Sequence, residues 1–137
     1  MRCFLIVLAL LINSTVLRSA QKQPESVSII RLIATPEKYH GKFVRIEGYL
    51  HNQFEDSAIY LSKDDADHLI NKNALWVRYA EKVQKQALYS EQEPDNLRYF
   101  DRKYVLIEGV FNEYDNGHLG AYAGSIKKVT RIMELTR

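Results

Sequence analysis

Three sets of residues in this chain have side chains that could do chemistry, and an acidic run is the first. Asp64, Asp65, Asp67 and His68 supply carboxylates and an imidazole, which are common metal ligands. The run lacks the glycine and distal glutamate of a calcium loop, and no Cys/His pair stands at zinc spacing. Ser62 favours another interpretation, a short helical turn that it caps, with acidic side chains at the positive end. We therefore expect no metal and no cofactor.

Histidine and glutamate side chains form the second set. His51 and His118 would meet if their strands pair at one end of a sheet, and Glu47 or Glu108 could then complete a small hydrolase site. No serine or cysteine nucleophile in a recognisable motif accompanies them. The two glutamates stand at equivalent strand positions, where pairing with a cation across the sheet is the simpler role. The cations available for that pairing are Arg45, Lys42 and Lys103.

Aromatic residues at outward strand positions form the third set, and they are the clearest indication of a binding surface. Strand alternation places Trp76 on the face opposite to Leu75 and Val77. Exposed rings on a sheet can stack against bases or sugar rings. The predicted ligand-binding residues are Trp76, Tyr49, Tyr60, Tyr122 and His118. The alternative for the tryptophan is burial beneath one of the two predicted helices.

A twelve-residue pattern that occurs twice, about sixty residues apart, positions many of these side chains. The copies are Tyr39–Leu50 and Phe100–Phe111. Each reads aromatic, two turn residues, Lys, aromatic, Val, any residue, Ile, Glu, Gly and two apolar residues. Alternation turns Val, Ile and Gly inward and Glu outward. A glycine on the inward face indicates a bend, a bulge or a close backbone approach, so the pattern predicts two bent strands of a small closed sheet.

The remaining elements complete the predicted fold. The predicted ranges are a helix capped by Ser26 or Ser28 and ending at Ala34, strands Ala58–Ser62 and Ala74–Tyr79, a helix Ala80–Tyr89, a hairpin turn Asp115–Gly117 and a strand Ala121–Leu135. The apolar stripe of the first helix is Val27, Ile30, Leu32 and Ile33. The order of helix, three strands, helix and two strands predicts a mainly β protein with helices (α+β). It is the order of a five-stranded OB-fold-like Greek-key barrel.

The segment Leu32–Tyr49 resembles the opening of small bacterial OB-fold-like proteins of the tRNA-anticodon-binding-like group. The chain after residue 20 is similar to exported bacterial proteins of this kind. The matching motifs are Tyr60-Leu61-Ser62-Lys63, Asn73-Ala74-Leu75-Trp76, Gly117-His118-Leu119-Gly120 and Gly124-Ser125-Ile126. The resemblance implies an OB-like barrel and export, and it assigns no activity.

The first twenty residues have the pattern of a secretory signal peptide. A basic residue precedes an apolar run that is too short for a comfortable membrane span, and cleavage is expected after Ala20. Arg18 departs from the usual small residue before the cut, so an uncleaved signal anchor is the alternative. We predict a periplasmic or secreted protein with a linker at 21–26, a single domain at 27–137 and no stable membrane span after cleavage.

Loss of the signal peptide changes the composition of the chain. Its one cysteine, Cys3, leaves with the signal. Two of the 19 basic residues also leave, which balances the 17 acidic ones. A neutral surface makes nucleic acid an unlikely partner. The sequence favours an exported, non-catalytic module that binds a protein, peptide or glycan, with a small hydrolase or an inhibitor/immunity-type partner protein as alternatives.

Overall fold

The structure, a computed structural model, describes residues 22–53, 56–79 and 97–136. The predicted signal peptide and the predicted helix Ala80–Tyr89 lie outside these residues. The described part is mainly β with a few short helices (α+β), and its six strands form one sheet. The elements are β1 (Glu25–Ser26), α1 (Ile29–Ala34), β2 (Phe43–Gln53), β3 (Asp56–Tyr60), α2 (Lys63–Asp67), β4 (Ala74–Val77), β5 (Lys103–Asn112) and β6 (Ser125–Glu134).

The sheet closes into a ring. Its strand order is β1-β2-β3-β4-β6-β5, and β2 also pairs with β5. Pairing is parallel between β1 and β2 and between β4 and β6, and antiparallel elsewhere. The two copies of the repeated pattern are β2 and β5, which lie side by side with Ile46 opposite Ile107. The five predicted strands are all present, and the two-residue β1 is an addition that the sequence did not indicate.

The main core lies inside the ring and contains the inward residues of both copies. Its completely buried members include Val44, Ile46, Leu50, Ile59, Leu75, Val105, Ile107, Phe111 and Ile126. Ile29 and Leu32 of α1 pack into the same core. Ser28 caps this helix by accepting a hydrogen bond from the backbone N–H of Arg31 at 3.2 Å. The predicted apolar stripe was wrong at Ile30, which is 58% exposed. The helix begins at Ile29, and Ile29 faces the core in its place.

Both glycines of the repeat stand where a side chain would collide. A Cβ on Gly48 would lie 2.5 Å from the carbonyl oxygen of Tyr60, where β3 leaves β2. A Cβ on Gly109 would lie 2.6 Å from Ile126 Cγ2, and the register of β5 against β6 shifts between Glu108 and Val110. The predicted close approach and bulge are therefore confirmed.

The predicted hairpin between the last two strands was wrong. Residues 113–124 join β5 to β6, and β6 begins at Ser125 and not at Ala121. Within this connection Tyr122 donates its backbone N–H to the carbonyl of Asn116 at 3.0 Å, and the Asn116 side chain donates back to the carbonyl of Tyr122 at 3.0 Å. These bonds close residues 116–122 into a loop. A tight hairpin turn would instead have continued the β5–β6 ladder.

Candidate functional site

The outer face of β2, β3 and β4 has a small core of its own. Its buried members are Tyr49, Ala58, Tyr60, Ala66, Ala74 and Tyr122. Alternation assigned Tyr49 and Tyr60 to the correct face, where they lie opposite each other in register. The expectation that they and Tyr122 are exposed was wrong, because α2 and the 113–124 connection cover this face and leave these three residues 4%, 0% and 3% exposed.

Two buried phenols are anchored by hydrogen bonds. The Tyr122 hydroxyl donates to Asp56 Oδ1 at 2.7 Å, and the Tyr60 hydroxyl donates to Asn71 Oδ1 at 2.7 Å. Burial raises the pKa of both phenols above the ordinary value, so they remain neutral donors. These contacts fix the 113–124 connection and the β3–β4 connection to the sheet.

Trp76 and His118 are the two predicted site residues outside this buried set. Trp76 is half-buried, and its ring lies 5.0 Å from the Tyr122 ring, measured between centroids. A Cβ on Gly117 would lie 2.7 Å from the indole. Among the described residues the 113–124 connection therefore covers the tryptophan, whereas the predicted helix Ala80–Tyr89 lies outside those residues. His118 is exposed in a short 3₁₀ turn of the same connection.

A first recess of about 300 Å³ opens beside this outer core. It lies between the end of β2, helix α2 and the turn that precedes β5. Its lining residues are Tyr49, His51, Ala66, Asp67, Leu69 and Arg102. It therefore combines an imidazole, a carboxylate and a guanidinium with apolar surface.

The charged groups of the first recess converge on one carboxylate. Asp67 Oδ1 accepts a hydrogen bond from Arg102 Nη2 at 3.2 Å, and its other oxygen accepts from Lys63 Nζ. The hydrogen bond from Lys63 pulls the pKa of Asp67 below its usual range, so the carboxylate stays ionised. The Arg102 side chain is 58% exposed, so a carboxylate acceptor and guanidinium donors stand side by side at a solvent-accessible position.

Two residues of the first recess have a left-handed backbone. Arg102 has φ 58° and Leu69 has φ 52°. This region of backbone conformation is unfavourable for residues other than glycine. In the repeated pattern Arg102 stands where the first copy has Gly41, whose φ is 75°. Sequence reasoning missed this recess, although an arginine in place of the expected turn glycine was a visible signal. Strained residues of this kind cluster at functional sites.

A second recess of about 440 Å³ adjoins the first. It is lined by Ser26, Val27, Ser28, Arg45, Glu47, Gly48, Leu61, Tyr104 and Leu135. The rings of Tyr49 and Tyr104 separate the two recesses and make an edge-to-face contact with centroids 5.2 Å apart. The floor is the stretch of β2 between its pairing with β1, which ends at Arg45, and its pairing with β3, which begins at Tyr49.

The residues of the hydrolase alternative are dispersed. His51 lines the first recess and Glu47 the second, whereas His118 lines neither. Glu108 is buried and accepts hydrogen bonds from Arg45 Nε at 2.8 Å and Arg45 Nη2 at 2.7 Å. The predicted pairing of this glutamate with an arginine across the sheet is confirmed.

The acidic run forms the helical turn that Ser62 predicted. Ser62 accepts a hydrogen bond from the backbone N–H of Asp65 at 3.1 Å, and Asp64 and Asp65 occupy the first turn of α2. Within residues 22–53, 56–79 and 97–136, no group of three His, Cys, Asp or Glu side chains is arranged to hold a metal ion.

Comparison with known proteins gives no family for the chain. No protein-family model matches it, and no curated protein matches it. In the part of the chain that the structure describes, every helix is too short or too polar to cross a membrane.

Proposed function

We propose that this protein is an exported, non-catalytic binding domain of the OB type, whose ligand contacts the outer face of the sheet at the two adjoining recesses. The observation that carries the proposal is the first recess. There a paired donor and acceptor, Arg102 and Asp67, stand at a solvent-accessible position beside a buried aromatic cluster. The ligand is a protein, a peptide or a glycan.

The strand connectivity supports the OB assignment. With the two-residue β1 set aside, the ring runs β2-β3-β4-β6-β5 and returns to β2, and the first and fourth long strands each have a crowded glycine, Gly48 and Gly109. OB-folds are five-stranded Greek-key barrels that bind ligands on strands 2 and 3 and on the adjacent loops. Here those strands are β3 and β4.

The location of the recesses also fits an OB-type binding domain. Tyr122 and Ala66 pack with the outward residues of β3 and β4 in one buried cluster, so the chain's own residues cover part of this face. The first recess lies next to this covered area, beside α2 in the β3–β4 connection. A ligand at the usual OB position would therefore be displaced toward Arg102 and His51.

Export is proposed from the signal-peptide pattern of residues 1–20. The two alternative functions depend on the recesses and on the outer face. A hydrolase has little support because its histidines and glutamates do not share one recess. An inhibitor or immunity-type partner would use the same outer face, so it differs from the proposal only in the ligand.

The test is a ligand titration of the full-length gene product, with its N-terminus determined by mass spectrometry after expression with export. A mature N-terminus near residue 21 supports cleavage, and an intact Met1 argues against it. Neutral oligosaccharides, short peptides and single-stranded DNA are added to ¹⁵N-labelled protein. We expect one of the first two classes to shift backbone amides of residues that line the recesses, with no chemical change in the ligand.

A matched pair of variants assigns the location. Arg102→Gly removes a cation from a left-handed backbone position inside the first recess. The control Lys128→Gly also removes a cation from a left-handed position, φ 49° on β6, but this residue lines neither recess. Binding that is weakened by both variants equally, or a ligand that is hydrolysed, would contradict the proposal.

A further inference from the structure

Resting on the proposed function, we propose that the first recess binds one neutral sugar residue of a glycan, through a pair of adjacent hydroxyl groups held by Asp67 and Arg102. The donor and acceptor at the recess select the kind of group that can bind. Asp67 Oδ1 and Arg102 Nη2 lie 3.2 Å apart, so a polar ligand atom that reaches both must donate to one and accept from the other. A hydroxyl group does both, whereas a carboxylate accepts only and an ammonium donates only.

The charge balance around the recess favours a neutral ligand. Lys63 and Arg102 are the cations that contact Asp67. Asp64, with a side chain 88% exposed, lies on the same helix, and Asp101 precedes Arg102 in the turn. The acidic groups outnumber these two cations, so an anionic ligand would meet no net attraction. Lys63 and Arg102 already pair with Asp67, so a cationic ligand would have to displace one of them to reach this carboxylate.

The size and the apolar lining of the recess suit a sugar ring. A volume of about 300 Å³ is at the lower end of small-molecule sites and suits a single monosaccharide unit. Leu69, 61% exposed, and Ala66 offer apolar surface for the C–H groups of the ring. His51 adds a further donor or acceptor at the β2 side.

Backbone strain in the recess supplies an independent reason to expect a ligand. Arg102 occupies a left-handed position that Gly41 fills in the other copy of the pattern, so glycine would suit the backbone better. Its backbone N–H donates to the carbonyl of Leu50 at 2.8 Å, which holds the turn in place. The guanidinium thus stands at the recess although the left-handed backbone favours glycine there. This is expected for a residue that contacts a ligand.

The experiment uses defined sugars as probes. Glucose, galactose, N-acetylglucosamine and its β-1,4-linked disaccharide are titrated into the ¹⁵N-labelled exported protein, with acetate and triglycine as controls. We expect at least one sugar to shift the amides of His51, Leu69 and Arg102 with a millimolar Kd. Arg102→Gly should weaken the binding of that sugar about tenfold or more, because the variant loses a charged hydrogen bond. Its melting temperature should be unchanged or higher.

The controls separate the possible failures. Lys128→Gly should leave the Kd of the sugar unchanged, and a deoxy analogue that lacks one of the paired hydroxyls should bind about tenfold more weakly. If triglycine or acetate shifts these amides and no sugar does, the sugar assignment is wrong while the binding function stands. If no probe shifts them, and neither peptides nor oligosaccharides shift the second recess, both proposals are wrong.

Discussion

The two copies of the repeated pattern, β2 and β5, form one antiparallel pair, and equivalent residues have different surroundings in it. The register relates the copies by an approximate two-fold axis near the Ile46–Ile107 pair, since these equivalent isoleucines lie opposite each other. On either side, Gly48 lies opposite Val105 and Val44 lies opposite Gly109. The inward half of the pattern is therefore reproduced twice, and it builds the core of the ring.

The outward half of the pattern differs in charge at the one position that the pattern leaves variable. That position is Arg45 in the first copy and Leu106 in the second. The register sets Arg45 opposite Glu108 and Leu106 opposite Glu47. Glu108 is consequently paired and 8% exposed, while Glu47 is exposed at the edge of the second recess. A shared glutamate thus has a structural role in one copy and is available to a ligand in the other.

The strongest disturbance of this pair should come from its glycines. Gly48→Ala places a methyl group 2.5 Å from the Tyr60 carbonyl oxygen and 2.8 Å from Ile29 Cδ1, so strand β3 or helix α1 must move. We expect a loss of about 3 kcal/mol in the free energy of unfolding, measured by urea denaturation. Gly109→Ala should cost about 2 kcal/mol, because its nearest backbone atom, the Lys127 carbonyl oxygen, lies at 2.8 Å and is less crowded than the 2.5 Å contact at Gly48. A loss below about 0.5 kcal/mol at Gly48 would contradict the crowding.

The two glutamates provide the next largest difference. Glu108→Ala leaves Arg45 without the carboxylate that holds its guanidinium, and Arg131 Nη1 loses a neighbour 3.6 Å away. We expect a loss of about 2 kcal/mol for this variant and less than about 0.5 kcal/mol for Glu47→Ala, by the same urea measurement. Equal losses at the two positions would show that the cross-strand ion pair contributes nothing.

Alternation predicted the faces of β2 and β5 but could not predict the exposure of their side chains. Val44, Ile46, Val105 and Ile107 are inward as expected. Tyr49 is outward yet buried, because α2 and the Tyr104 ring lie against it, and a period of two contains no information about such cover.

The first recess was beyond sequence reasoning for a similar reason. It joins residues from β2, α2 and the turn before β5, and only the tertiary fold brings them together. Asp67 was recognised as chemically capable, but as a metal ligand or cap. In the pattern Arg102 is simply one of two turn residues, and only the comparison with Gly41 marks it as exceptional.

Exchange of the turn residues tests whether that difference is functional. Gly41→Ala puts a side chain at φ 75° with nothing within 4 Å of its Cβ, so backbone strain alone should cost about 1 kcal/mol. Arg102→Gly should change stability by between zero and a gain of about 1 kcal/mol, since relief of strain offsets the lost ion pair with Asp67. Thermal unfolding of both variants measures this. A large loss for Arg102→Gly would mean that the arginine is kept for stability and not for a ligand.

The smallest expected effect is the most direct test of the variable position. Leu106→Arg gives Glu47 the cross-strand partner that Glu108 already has, and it should change stability by less than about 0.5 kcal/mol, because the half-buried leucine also loses apolar contact. The informative quantity is the coupling between the new arginine and Glu47, from a double-mutant cycle with Glu47→Ala. We expect a favourable coupling of about 0.2–1 kcal/mol. A coupling of zero would mean that the register alone does not produce the pair, and that burial beside Arg131 is what distinguishes Glu108 from its counterpart.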